Sequence, residues 1–478
     1  MLDTFHTEEV NPNVGNLVTS LRDIGYTFEI AVADIIDNSI SASAKNIQIL
    51  AIAEPDEIIS ILDDGNGMSE LQLIEAMRLA TQNPLMQRTQ TDLGRFGLGL
   101  KTASFSQCKK LTVASKQNDI LSVRQWDLDY ISEKNQWLLN TPNISLIKKN
   151  DLLQSLLESK NGTLVIWEEL DKLSNQSFSS LIDNLRKHLS LVFHRFMEMD
   201  GSKKLKISVN SNKLEPFNPF NEKNAATQQL HHEKIKFFNE TILIQPFILP
   251  HHSKISQQEF ERYATDDGYT KSQGFYLYRA NRLLIYGTWW GLHKISDAHK
   301  LVRIKIDISN TQDGFWGIDI KKSTAKPVAG IKDDLKRIIS QVTDRGSRPF
   351  TGRGRRIEDK KTNRFWSMLP DNDQIKFIIN PEHPVYLELI DSINLESRDL
   401  LKFYLKGLQA YLPLEAIQAQ LNQNPHLIHQ KEIMNEVDVI NLAKILNNLN
   451  LDEDVITSLL KTEVFKNRQE LLGRSSEY

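Results

Sequence analysis

The chain has 478 residues, 40% apolar and 25% charged, with 58 basic and 61 acidic side chains and a formal charge of −3. At roughly 150 residues per domain this length holds several domains, and the composition excludes wholesale disorder and fibrous repeats. The single cysteine, Cys108, excludes an internal disulfide and a cysteine-based metal cluster, and the near-balanced charge confines any nucleic-acid contact to a local patch.

No basic stretch leading into an apolar run opens the chain, and no apolar run approaches the roughly 20 residues of a membrane span. A cytoplasmic protein is expected. The first half mixes helical and strand patterns. An amphipathic stretch near 27–43 is followed by β-type runs at 46–52 and 58–62. Ser69 and Gln72 form a capping box that opens a helix through about 80. A polar segment at 81–93 leads to Gly94–Gly99 and a further helix. Strands are predicted at 111–115, 122–126 and 163–167, and a helix at 177–197. The elements do not alternate as strict βαβ units, which argues for α+β.

From about 226 a second α+β domain is expected. Residues 274–287 read as a hairpin turning at Ala280–Asn281, 301–308 as a half-buried strand, 317–320 as a strand, and 331–342 as an amphipathic helix. Residues 344–364 are Gly-rich and basic and read as an exposed linker or loop. A short β-like piece at 375–380 and helices near 396–411, 437–449 and 453–472 make a small, mostly helical module. The expected domains are thus 1–225, 226–343, the segment 344–364, and 365–478.

Three motifs carry chemistry. In ADIIDNS (33–39) a helix places Asp34, Asp37, Asn38 and Ser41 on one face. Such a face is either solvated or a metal-and-water site, since Asn and Asp oxygens are hard ligands that suit Mg²⁺. In LDDGNGMS (62–69), Asp63 ends a buried strand and needs a donor. An adenine amine would supply one, with Gly65 and Gly67 letting a planar base lie close to the backbone. In LGRFGLGLKTAS (93–104), Gly94, Gly97 and Gly99 precede a helix start. Backbone N–H groups there can face an anion, and Lys101 is placed to reach a phosphate. The spacing matches neither a P-loop nor a dinucleotide fingerprint.

In order, E-x-x-x-N on a helix, D-x-G-x-G, G-x-x-G-x-G and a Gly-Thr on a strand resemble the signature of the GHKL ATPases. Over residues 15–170 this chain carries that series, with Gly162–Thr163 as the fourth element. DNS in the first motif and GRFGLGLKTAS in the third are similar to the MORC proteins and their bacterial relatives. The resemblance implies a GHKL α/β sandwich, ATP as ligand, and Asn38 as the residue coordinating Mg²⁺. It implies that Asp63 binds the adenine amine, directly and through a water shared with Thr163. Gly65, Gly67 and Met68 would border the nucleotide, and Gly94, Arg95, Phe96, Gly97, Leu98, Gly99 and Lys101 its phosphates. Segment 81–93 would be the lid.

There are two departures from the family pattern. The water-activating glutamate falls on Asp34, whose side chain is shorter by one C–C bond, about 1.5 Å. Ser41 stands where many relatives carry Asp. The second domain resembles a transducer, whose loop would send Lys322, or alternatively Lys321, to the γ-phosphate and neutralise charge on the transferred phosphoryl group. The resemblance further implies an ATP-dependent homodimer and DNA-directed work with partner proteins in a bacterial restriction or anti-phage system. Arg345, Arg348, Arg353, Arg355 and Arg356 would grip DNA phosphates. The alternatives are a nucleotide-gated switch or a protein-client clamp with negligible hydrolysis. A nuclease reading of Asp313 with Asp319-Ile-Lys321 uses the same stretch with less context. Cys108 is placed on the helix after the glycine loop as a small buried hydrophobe. His231–His232 and His251–His252 read as solvated loops, while Trp289–Trp290 is either core or an exposed patch.

Overall fold

A computed structural model describes residues 12–79, 99–147, 150–173, 177–238, 240–319, 321–355, 362–371, 374–423, 433–449 and 451–472, together with Glu8 and Ile428. The chain forms two compact units. The first comprises Met1–Leu249, Asp266–Ser296 and Val302–Ser340, and the second Pro250–Thr265, Asp297–Leu301 and Gln341–Tyr478. The first unit therefore takes in most of both regions read as separate domains. The α+β class holds.

Four helices bear on the site: α1 (Val14–Arg22), α2 (Phe28–Ser41), α3 (Glu70–Met77) and α4 (Gly99–Phe105). The strands β1 (Asn46–Ile52), β2 (Ile58–Asp63), β3 (Cys108–Gln117), β4 (Ile120–Asp127), β5 (Gly162–Leu170), β6 (Lys206–Val209) and β7 (Asn212–Lys213) form one sheet in the order β4-β3-β5-β2-β1-β6-β7. Its neighbours run antiparallel except β1 and β6.

Both faces of this sheet are covered, so β5 is apolar without alternation. Val165 and Trp167 face a core shared with α2, α4 and the helix Phe178–Val192. Leu164 and Ile166 face a second core with Leu152, Leu153 and Leu156 of the helix Asp151–Glu158. Cys108 is buried as expected, but it opens β3 and does not extend the helix before it.

The first unit also holds a sheet built from β8 (Gln228–Gln229), β9 (Glu233–Phe237), β10 (Glu240–Ile248), β11 (Gly274–Arg279), β12 (Arg282–Thr288) and β13 (Val302–Ile308). Its order is β12-β11-β13-β10-β8, with β9 on β10. Ala280 and Asn281, at φ +46° and +72°, turn β11 into β12 as a type I′ hairpin demands.

Three expectations fail here. The strand at 317–320 does not form over its described residues. The Asp319 carboxylate accepts from the Ser323 and Thr324 N–H groups and the Ser323 hydroxyl, which holds a turn in place of a ladder. The helix expected to end near 342 runs from Lys332 to Arg355 and takes up half the predicted linker. It does so against local propensity, since Gly346, Pro349, Gly352 and Gly354 all disfavour a helix interior, and nothing in the structure explains the extension. In the second unit, the helix expected over 453–472 ends at Leu459 and the chain continues through turns to a 3-10 helix, Gln469–Leu472. Val439, Ala443, Leu446, Leu459 and Phe465 form that unit's core. The unit also contains the hairpin β14 (Trp366–Asp371) and β15 (Gln374–Ile379). Among the described residues no helix is long and apolar enough to cross a membrane.

Candidate active site

Helix α2 begins where the Thr27 hydroxyl accepts from the Ile30 N–H. Unlike a surface helix it is buried almost all round. Ala31, Val32, Ala33, Ile35 and Ile36 are each no more than 2% exposed, and so are Asp34 and Asp37. The acidic face is therefore not solvated, and its carboxylates need partners.

Those partners come from far along the chain. Lys322 Nζ donates to Asp34 Oδ1 at 3.1 Å and to Asp37 Oδ2 at 2.6 Å. Arg282 Nε donates to Asp37 Oδ1 at 3.0 Å, and the Tyr26 hydroxyl donates to Asp34 Oδ2 at 3.0 Å. Burial pushes the Asp34 carboxyl above its usual range; Lys322 opposes that shift and Asp37 adds to it. Of the two adjacent lysines, Lys322 is the one on the carboxylates. Lys321 is half-buried and donates to the Gly25 carbonyl.

Asn38 differs from its neighbours: it is exposed, and its side chain has no partner among the described residues. One residue on, the Ser39 hydroxyl donates to Asp63 Oδ2 at 2.8 Å, while Gly65 N donates to Oδ1 at 2.9 Å. Burial raises the Asp63 carboxyl above its usual range, against these hydrogen bonds. Asp63 lies opposite Thr163 across β2 and β5. The Thr163 and Ser115 hydroxyls are 2.9 Å apart, and Met68 N donates to Ser115 Oγ at 2.8 Å.

The turn after β2 folds onto the end of α2, with Asn66 N donating to the Ala42 carbonyl at 2.9 Å. That closeness requires glycine. A Cβ on Gly65 would lie 2.9 Å from the Ala42 oxygen, and one on Gly67, at φ +65°, would lie 1.9 Å from the Lys116 oxygen. Gly67→Ala is expected to destabilise the fold by about 3 kcal/mol or more, from the left-handed strain and the backbone clash together. A fall in the urea midpoint checks this.

The structure thus gathers Asp34, Asn38, Asp63, Gly65, Gly67, Met68, Thr163 and Lys322. Gly99 joins them at the start of α4, where a Cβ would lie 3.6 Å from Asp34 Oδ2. Gly94, Arg95, Phe96, Gly97 and Leu98, and the lid segment 81–93, fall outside the described residues. Lys101 is buried, its ammonium donates to the Ala76 carbonyl near the end of α3, and burial lowers its pKa to about 8. A desolvated ammonium needs such an acceptor. The residues that sequence reading missed are Tyr26, Ser39, Ser115 and Arg282. The one signal for Arg282 was a charge opening an otherwise apolar strand, RLLIYG.

Residues 26–163 match the family of histidine kinase-, DNA gyrase B-, and HSP90-like ATPases. The match begins at Tyr26, which meets Asp34, and ends at Thr163, which faces Asp63. This segment is a GHKL-type ATPase domain. No curated protein matches the chain.

The ATPase domain accounts for the first three motifs, and the remaining candidates resolve elsewhere. Asp313 accepts from the Arg279 guanidinium at 2.6 and 2.7 Å, so the nuclease pattern's first acid is committed to a buried ion pair. His231 and His232 are exposed, but His251 is buried, with Nδ1 3.1 Å from the Ser253 hydroxyl. Trp289 is core, while Trp290 is half-buried and stacks on Phe275. Arg345 is exposed; Arg348, Arg353 and Arg355 lie on the helix ending at Arg355, and Arg356 is outside the described residues.

Proposed function

We propose that this chain is an ATP-hydrolysing, MORC-like GHKL protein in which the loop carrying Lys322 acts as a transducer. The observation that carries the reading is the pairing of Lys322 with Asp34, 288 residues away, beside the exposed amide of Asn38. A cation from the second sheet's side of the unit thus reaches the base position on α2.

The residues suit ATP and Mg²⁺. Asp63 accepts from the Ser39 hydroxyl and from the Gly65 and Thr163 N–H groups, and with about four lone-pair sites its carboxylate can still accept from an adenine amine. Asn38 offers Mg²⁺ a hard oxygen, and the metal would neutralise phosphate charge. Asp34 is the general base, and Lys322 moves from its carboxylates to the γ-phosphate. ATP would draw two copies into a closed dimer, and turnover would serve DNA-directed work in a bacterial restriction or anti-phage system. The arginines from 345 to 356 would hold DNA backbone without reading bases. One observation favours a second reading, a nucleotide-gated switch with negligible hydrolysis: the short Asp34 is already covered by Lys322.

Steady-state phosphate release with and without DNA, alongside molecular mass with a non-hydrolysable ATP analogue, separates these readings. Hydrolysis that DNA stimulates, with dimer formation, supports the first. Dimer formation without phosphate release supports the switch. Asn38→Ala is expected to abolish Mg²⁺-dependent ATP affinity in an equilibrium binding assay while leaving the circular dichroism spectrum unchanged. Retained affinity would remove Asn38 from the metal site.

A further inference from the structure

Arg282 plays no part in that reading, yet its geometry is tightly fixed. It is 4% exposed and opens β12 directly after the Ala280–Asn281 turn. Nε donates to Asp37 Oδ1 at 3.0 Å, Nη1 donates to the Leu283 carbonyl at 3.0 Å, and the Phe193 ring centroid lies 5.5 Å from the guanidinium carbon. The other Asp37 oxygen accepts from Lys322, whose ammonium continues to Asp34. Cation and carboxylate alternate along Arg282, Asp37, Lys322 and Asp34, and every side chain is at most 8% exposed.

We propose, on the reading of Asp34 and Lys322 given above, that Arg282 is a positioning residue: by fixing Asp37 it seats the Lys322 ammonium beside Asp34. A lysine is a point charge on a flexible four-carbon stem, so a single carboxylate holds it in many poses. Two carboxylates at i and i+3 on one helix define one seat, provided neither rotates. Asp34 is fixed by Tyr26, and Asp37 by Arg282. Among the described residues no other guanidinium is bonded to Asp37. His188, on the helix Phe178–Val192, has a buried Nε2 without a hydrogen-bond partner, and burial followed by the Arg282 charge keeps its ring neutral.

Removing the guanidinium changes the balance in two ways. Asp37 is freed to rotate, and the cluster passes from two cations on two carboxylates to one cation on two. Lys322 is then both less well placed and more strongly retained by α2, so it is delivered poorly to a phosphate. Asn38 and Asp63 do not touch Arg282, so the initial binding of ATP is spared.

The test is kcat and KM for MgATP in wild type, Arg282→Gln, Arg282→Lys, Asp37→Asn, and the double variant Arg282→Gln/Asp37→Asn. Arg282→Gln is expected to lower kcat by about 10- to 100-fold, with KM changed by less than about threefold. Arg282→Lys should recover most of the loss, and the double variant should be no worse than the poorer single. Undiminished kcat in Arg282→Gln, a rise in KM alone, or multiplicative losses in the double variant would each overturn the proposal. If Arg282→Gln does not fold, Asp37→Asn decides, and full activity there overturns it. Lys322→Ala distinguishes the two levels. Its full activity brings down the reading of Lys322, whereas its loss beside a fully active Arg282→Gln brings down this inference alone.

Discussion

Asp34→Asn is expected to slow phosphate release by about 100- to 10,000-fold, the usual share of a positioned general base, while ATP affinity stays nearly unchanged. Asparagine keeps the shape, and its one remaining oxygen still accepts from Tyr26 or Lys322, so the helix packing survives. What it loses is the ability to take a proton. A general base at Asp34 would be active only when ionised, and burial holds its folded pKa above the ordinary 3.8. The wild-type rate should therefore rise with pH through a value above 3.8. That value rises further once Lys322 leaves for a phosphate, because one of the influences lowering it departs. A base whose pKa climbs toward the working pH takes a proton more readily. A full pH–rate profile of both proteins checks this. Undiminished turnover in the Asn variant would show that Asp34 is not the base.

The parts of the site that lie close together in sequence were the parts sequence could supply. Asp34 and Asn38 are one helical turn apart, Ser69 and Gln72 cap α3 as predicted, and Asp63 and Gly65 share a turn. A period-two pattern located β1, while β2 and β5 read as short apolar runs because both of their faces are buried. The charge cluster was only half visible. Arg282 meets Asp37 across 245 positions, and no local pattern encodes such a contact. The motif FWGIDI has strand-like composition, but the Asp319 side chain bonds the backbone ahead of it and wins locally. The contact of Lys101 with the Ala76 carbonyl, which belongs to another helix, likewise has no local signal. In each case the local reading stopped where a polar side chain had a distant or competing partner.

Lys322→Ala is expected to lower kcat by about 100- to 1,000-fold, the loss seen when one donor to developing transition-state charge is removed, with a much smaller change in ATP affinity. The lysine belongs to a loop after β13 and is held by α2, so on the proposed reading a contact with a phosphate would be made late and would count mainly in the transition state. Lys321→Ala is the neighbour control. Its ammonium reaches the Gly25 carbonyl and not the carboxylates, so wild-type turnover is expected there. The Lys322 variant should also show its origin in stability. Without the ammonium, Asp34 keeps its burial and the repulsion of Asp37 but loses its nearest cation, so its folded pKa climbs further above 3.8. A carboxyl raised in this way holds its proton better in the folded than in the unfolded chain. Below 3.8 both states are protonated and the missing lysine costs little; as pH rises toward the folded value the unfolded chain ionises first and stability is lost. Because Asp34 can stay protonated, the deficit near neutral pH should fall short of the about 3–5 kcal/mol typical of breaking a buried pair by removing one partner. Urea midpoints of variant and wild type, compared from acid to neutral pH without nucleotide, should therefore diverge as pH rises. A constant gap would mean that Lys322 and Asp34 are not charge partners in the folded protein.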